Sequence, residues 1–447
     1  MKKLSFLFLF VIFLLSFTQF SCNTTGPKPE RDVVLKVEDA SCTETWLKLT
    51  LNNFSGSTQI ELKRNGNTVN TFNITTPDTV LYDDSLAPNK TYTYQAVELQ
   101  NGKETAKSET IVIKTLDATS HNWTFQTFLL GGAQSSVLND VCIVNDSLAY
   151  AVGSIYVNDS TGKTDPNAYN LAKWNGHSWQ LLKVQFYTFC GQQSTGSYEA
   201  NGVFALSNNA IWIASNNSEI AVWNGNKQTS IMCLPVSVSK LWADNRNEIY
   251  TVGTLGQIAY YTNGTWQKLE SGTDIKLLDV WGNENNTWIC GWDDFKPTIL
   301  LNYKGNSLTT VINNPNGSLF YYNPNAVSGA IESVWTNNPN NLFLLTWYGL
   351  YRIENNDFNN PKNIWNGDPN TWGLAKVRGN NVNDIVGAGI YGRIWHYNGV
   401  SWRLYNSLIN NSDNLNSIAI KGNLIIAVGS RYESGINNYA LVQVGHR

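Results

Sequence analysis

Asp293 and Asp294, in "GWDDFKP", form an acidic pair that could do carboxylate chemistry. Splitting a glycosidic bond needs two carboxyl groups that converge on that bond. Adjacent residues on a loop point apart, so the pair reads as a solvated turn tip. Arg352, Arg393 and Arg431 could grip an anionic substrate, as guanidinium clusters do. His121, His177, His396 and His446 show no ligand spacing, and CxxC is missing, so zinc is not expected. G-x-S-x-G, H-E-x-x-H and a phosphate loop are missing as well. No catalytic residue, metal or cofactor is therefore assigned. The chemistry left is aromatic: Trp292, Phe295, Phe320, Tyr321, Tyr322, Trp347 and Tyr348 in one stretch, and Tyr156, Phe186, Tyr187 and Tyr198 in another. Flat rings beside amides suit sugar faces, and they suit protein partners equally well.

The bulk of the chain agrees with that reading. Of its 447 residues 42% are hydrophobic, enough for a real core, and only 15% are charged, with a net charge of −3. Nothing in this balance provides the basic field that nucleic acid requires. Aromatic residues reach 12%, with 17 Trp and 21 Tyr, on an amide-rich background typical of secreted β proteins. "MKKLSFLFLFVIFLLSF" has two lysines and then an apolar run too short for the ~20 residues of a membrane span, so residues 1–21 read as a signal peptide. Ser21-Cys22 resembles the end of a bacterial lipobox, although Gln19 and Phe20 depart from it. That resemblance implies lipidation at Cys22, a tether over 22–31 and an outer-membrane lipoprotein held by its lipid anchor alone, with plain secretion as the alternative. Five cysteines remain, so at least one is unpaired. Cys142 and Cys290 lie in apolar runs, while Cys190 and Cys233 could bridge.

The elements that position these residues are all β. Over 32–116 apolar and polar residues alternate between the turn signals "FSGS", "RNGN" and "APNK". Trp46 sits in the second run, and Leu86, Pro88, Tyr92 and Tyr94 follow in "LAPNKTYTY". This pattern resembles the fibronectin type III family, which implies a β-sandwich with Trp46 between its sheets, acting as a spacer.

Residues 117–447 repeat. "GVFALSNNAIWIA", "KLWADNRNEIYTVG", "DVWGNENNTWICG", "SVWTNNPNNLFLLT" and "AKVRGNNVNDIVGAG" each give a strand, an asparagine-rich turn and a second strand. They recur at the ~40–50-residue interval of a four-stranded propeller blade. "DVCIVNDSLAYAVG" and "SIAIKGNLIIAVG" extend the series, predicting seven blades, with six or eight as alternatives. Asn175-Gly176, Asn224-Gly225, Asn263-Gly264 and Asn398-Gly399 would join the third and fourth strands as type I′ turns. Trp179, Trp266 and Trp402 would then open the outer strand. The last repeat lacks that strand, and "NWTFQTF" from Asn122 matches it, so an N-terminal strand is expected to close the ring. The pattern resembles a propeller repeat of bacterial surface lipoproteins and, more loosely, the Asp-box repeats of sialidases and the photosystem II assembly-factor propellers. Asn263-Gly264-Thr265-Trp266 lacks the serine and aspartate of the Asp-box. The longest connections and their aromatics fall on one face, the top. The expectation is a non-catalytic binder of a glycan or a protein partner, with a scaffold or assembly factor as the alternative and a sialidase-like hydrolase behind both.

Overall fold

A computed structural model of the chain describes residues 32–447 except 216–217, 244–247, 284–285, 318–321, 366–372 and 434–437. The expected signal peptide, Cys22 and the tether lie outside the described residues. The regular elements of the described residues are almost wholly β, and these residues form two compact units, one of 32–36, 48–79 and 93–111, the other built on 37–47, 80–92 and the described part of 112–447. In the N-terminal region the strands form a three-stranded and a five-stranded sheet. Ile60, Leu62, Ala96 and Val97 are buried in the first unit. In the second unit the Ala87 N–H donates to the Tyr92 hydroxyl at 2.8 Å, which ties the corner before a strand. Trp46 is fully buried, 5.8 Å from Tyr82.

The larger unit holds seven four-stranded antiparallel sheets among the described residues. Their first strands are Val137–Asn145, Ala200–Ser207, Lys240–Ala243, Leu277–Asn283, Ile331–Asn338, Leu374–Asn381 and Asp413–Lys421. Second strands such as Leu148–Ile155 and Asn341–Thr346 are buried almost throughout, because each is covered on both faces. The seams between sheets are apolar. Tyr150, Phe186 and Ile213 pack first against second, Trp288 and Leu344 fourth against fifth, and Ile143 and Val442 seventh against first. Thr124–Leu130 supplies the fourth strand of the last sheet, with Val442 opposite Phe128 and Leu441 opposite Leu129. Trp123 is buried in the seam between the sixth and seventh sheets. Trp402 stacks on Trp365 at 4.2 Å, and Trp179 meets Trp174 at 5.3 Å.

The Asn-Gly turns are not one turn type. Asn263 and Gly264 both have positive φ, 50° and 83°, and Thr262 pairs with Thr265, as a two-residue I′ loop requires. At 175, 224 and 398 only the glycine is left-handed. There the asparagine Oδ1 accepts two backbone N–H groups, those of His177 and Ser178, Asn226 and Lys227, or Val400 and Ser401. The cause is length: two residues separate each of these glycines from the outer strand, against none after Gly264, so the side chain completes a turn that the backbone alone cannot close. Cys190 and Cys233 are disulfide-bonded, whereas Cys42, Cys142 and Cys290 are free thiols. Burial pushes the Cys142 thiol up to about 12.

Candidate functional site

Six of the first strands carry the same irregularity near their start. The ladder skips one residue between Leu138 and Asp140, Ala200 and Gly202, Leu277 and Asp279, Ile331 and Ser333, Leu374 and Lys376, and Leu415 and Ser417. Such bulges re-aim side chains beside functional sites. They lie at the end of each sheet where the second strand finishes, as Leu277 opposite Gly291 shows, so they share the top face with the turns between second and third strands. Sequence periodicity does not reveal them, because one extra residue leaves the alternation on either side intact.

Beside these bulges charge gathers at the ring's centre. The Lys240 ammonium donates to Asp140, which also accepts from Ser417 Oγ at 2.8 Å and the Val203 N–H at 3.0 Å. Arg378 grips Asp279 with two bonds of 2.8 and 3.0 Å, and Ser333 Oγ and the Val334 N–H complete its shell. Burial alone would raise the Asp279 carboxyl, but Arg378 and Lys376 outweigh it and hold the group well below its ordinary range. Burial likewise lowers Lys240 against the pull of Asp140. These bridges clamp sheets that are not neighbours in sequence, and breaking one such buried pair costs about 3–5 kcal/mol. Above them lies a cavity of about 240 Å³, lined by Asn139, Asn201, Ser239, Lys240, Lys276 and Lys376 among others. Nothing in the spacing of Lys240, Lys276 and Lys376 marks them as neighbours.

At the mouth, Trp292 and Trp347 meet edge to face with centroids 4.9 Å apart, at 79°. Both indole N–H groups donate to Glu332 Oε1, at 3.0 and 2.8 Å. Burial raises the Glu332 carboxyl, and the two indoles partly oppose that shift. Tyr322 and Tyr348 lie 5.4 Å apart beside them. Phe320 and Tyr321 fall outside the described residues. On the other lobe Tyr156 and Tyr187 are half-buried. Phe186, expected in the rim, is fully buried in a seam, and Tyr198 bonds Thr188 through its hydroxyl at 2.9 Å, so these two pack their own loop. Phe189, which was not singled out, is 67% exposed.

The turn tips hold a second feature hidden from sequence. Leu255, Phe295 and Tyr391 stand at the tips of the third, fourth and sixth sheets with φ of 54°, 61° and 61°. All three are exposed, Phe295 to 92%. Left-handed backbone costs a residue with a Cβ about 1–2 kcal/mol, and glycine or asparagine normally takes such positions. Leu255 also borders a cavity of about 710 Å³ with Lys296 on its wall.

The charged candidates are spoken for. Asp293 accepts the Lys276 backbone N–H at 2.9 Å, which builds the turn, and Asp294 is exposed. Arg352 is buried, its guanidinium bonded to Glu44 and 2.6 Å from Glu354. Arg431 makes two bonds to Asp413, and Arg393 lies 5.1 Å from the Tyr391 ring. Among the described residues no group of three His, Cys, Asp or Glu could hold a metal.

A ring of four-stranded antiparallel sheets around a central cavity, its last sheet completed by a strand from before the first, is a β-propeller. Solved structures agree on the fold: the chain is similar to YCF48 bound to D1 peptide, with a TM-score of 0.52, 13% identity, and coverage of 74% of this chain and 99% of that one. The computationally designed Ika8 protein (TM-score 0.44, 13% identity, 71% and 98%) and a chain of the mitotic checkpoint complex (0.47, 11%, 73% and 96%) also align. No protein-family model and no curated protein matches the sequence.

Proposed function

We propose that this protein is a non-catalytic binding protein of the cell envelope, anchored through Cys22, whose seven-bladed propeller takes a protein partner on its top face. A fibronectin type III-like module over 32–116 would act as its spacer. The observation that carries the partner reading is the set of exposed apolar side chains, Leu255, Phe295 and Tyr391, held on left-handed backbone. Strain kept in bulky side chains that stay largely in solvent is a mark of a contact surface. A glycan is a poorer fit. The paired rings Trp292 and Trp347 stand perpendicular with their N–H groups committed to Glu332, which leaves no flat platform with free donors. YCF48, a propeller of similar fold, was solved with a D1 peptide, and a polypeptide ligand here would be the same kind of use. The seven sheets and the closing strand support seven blades, and the Tyr92 corner supports the module.

Partner capture by the ectodomain from envelope extract, identified by mass spectrometry and re-measured with the purified partner, tests the reading. Phe295→Ser, Leu255→Ser and Trp292→Ala should each weaken binding about 5–30-fold, with unchanged melting for the two tip variants. A triple variant that binds the partner as tightly as the parent would exclude this face. Binding on a glycan array, with no protein captured, would favour the carbohydrate reading instead.

A further inference from the structure

The central cavity adds a specificity that the apolar tips cannot supply. Its lining carries three ammonium groups, those of Lys240, Lys276 and Lys376, against one carboxylate, Asp140. Asp140 is already saturated by Lys240, Ser417 and the Val203 amide. Lys376 donates to the Leu278 carbonyl at 3.0 Å and lies 3.4 Å from Asp279, whose oxygens Arg378 occupies. Lys276 is exposed, and its ammonium makes no hydrogen bond or ion pair among the described residues. Two further carboxylates stand nearby: Glu332, whose Oε1 holds the two indoles at the mouth and whose charge also feels Lys376 and Lys276, and Glu199, which accepts from Asn139 at 2.7 Å. Three ammonium groups therefore line the cavity against one carboxylate, where bulges from several sheets converge.

We infer that this cavity receives an acidic side chain, Asp or Glu, presented by the protein partner that the tips engage. Lys276 and Lys376 would hold the carboxylate. A volume of about 240 Å³ admits such a side chain but not a folded element. Charge-assisted bonds from an exposed and a largely buried lysine would be formed without dismantling the clamps beneath, because Asp140 and Asp279 keep Lys240 and Arg378. The inference rests on the top face being a protein-binding surface, and it assigns that surface an anchor of defined charge.

The test uses the whole ectodomain and three probes: acetyl-tetraglutamate amide, its tetraglutamine counterpart, and inorganic phosphate. By fluorescence anisotropy or calorimetry in low salt, tetraglutamate should bind at least about tenfold more tightly than tetraglutamine. Lys276→Gln should remove most of that preference, as should raising the salt. Lys276→Arg should retain it. Lys276 is exposed, so melting of the glutamine variant should match the parent. Equal binding of the two peptides, or no effect of Lys276→Gln, overturns the inference. So does phosphate binding as tightly as tetraglutamate with the same dependence on Lys276, which would mean a free-anion site. The two readings separate cleanly. If Phe295→Ser and Leu255→Ser abolish partner binding while Lys276→Gln does not, only the acidic anchor is lost. If Lys276 governs the tetraglutamate signal while the tips are inert, the partner surface is lost.

Discussion

At the scale of single residues the most informative cluster lies away from the top face. His396 is fully buried, and its Nε2–H donates to Asp384 Oδ1 at 2.8 Å. Its Nδ1 sits 2.8 Å from Nδ1 of His121, whose Nε2 lies 3.2 Å from the Ser401 hydroxyl. Arg447 makes two bonds to the same Asp384, and Arg403 adds positive charge near His121. Burial, then the His396 and Arg403 charges, push the His121 imidazole down to about 4. In the unfolded chain it titrates near the ordinary ~6.5. Between these values the unfolded state binds a proton that the folded state refuses, so stability is lost as pH falls from about 6.5 toward 4. Thermal melts should show His121→Gln losing less than the parent over this window, by about 2–4 °C. Parallel pH profiles for the two proteins would refute the assignment. On the other side of the ring, Asp279→Asn should cost about 3–5 kcal/mol in denaturant unfolding, because it leaves Arg378 buried and unpaired.

At the scale of elements, the Asn-Gly turns predict opposite answers to one substitution. Asn263→Gly should be near neutral, since φ of 50° suits glycine at least as well as asparagine and Oδ1 caps nothing there. Asn398→Gly should cost about 1–2 kcal/mol, because it removes the acceptor for the Val400 and Ser401 amides. Equal chemical-denaturation midpoints for both variants would show that the turns are alike after all. The difference was already legible in the sequence, as "NGT" against "NGHS" and "NGVS", but a search for the dipeptide alone passes over it. The strands themselves were legible because apolar alternation and the repeat interval both survive the polar turns. The closing strand was legible from Trp123, which matches the tryptophans that open other outer strands. The bulges and the left-handed tips were not, since one skipped ladder position and a φ angle leave no mark in residue type. For the same reason Lys276 and Lys376, far apart in sequence, gave no sign of lining one cavity, while Phe186 looked like a rim residue until its loop folded back.

For the whole molecule, stability rests on closure. Each sheet is sealed only by its neighbours, so an opened ring exposes two seams at once, a cost that a linear stack would not bear. Thr124–Leu130 closes it, pairing along seven positions from Ala440 to His446 and carrying Phe125, Phe128 and Leu130 into the seams, with Trp123 just before it. Burying an apolar side chain contributes about 1.5–3 kcal/mol. Losing several of them approaches the ~5–15 kcal/mol by which a whole domain is stable. Deleting residues 121–130 should therefore melt all seven sheets together rather than loosen the last one. Hydrogen exchange should lose protection in strands as remote as Ile249–Val252 and Leu277–Asn283, along with Leu424–Tyr432. A peptide of residues 119–132 added in trans should restore part of it, since the missing edge is the only change. If the truncated chain melts at the parent temperature, or loses protection in the final sheet alone, the ring is not the cooperative unit.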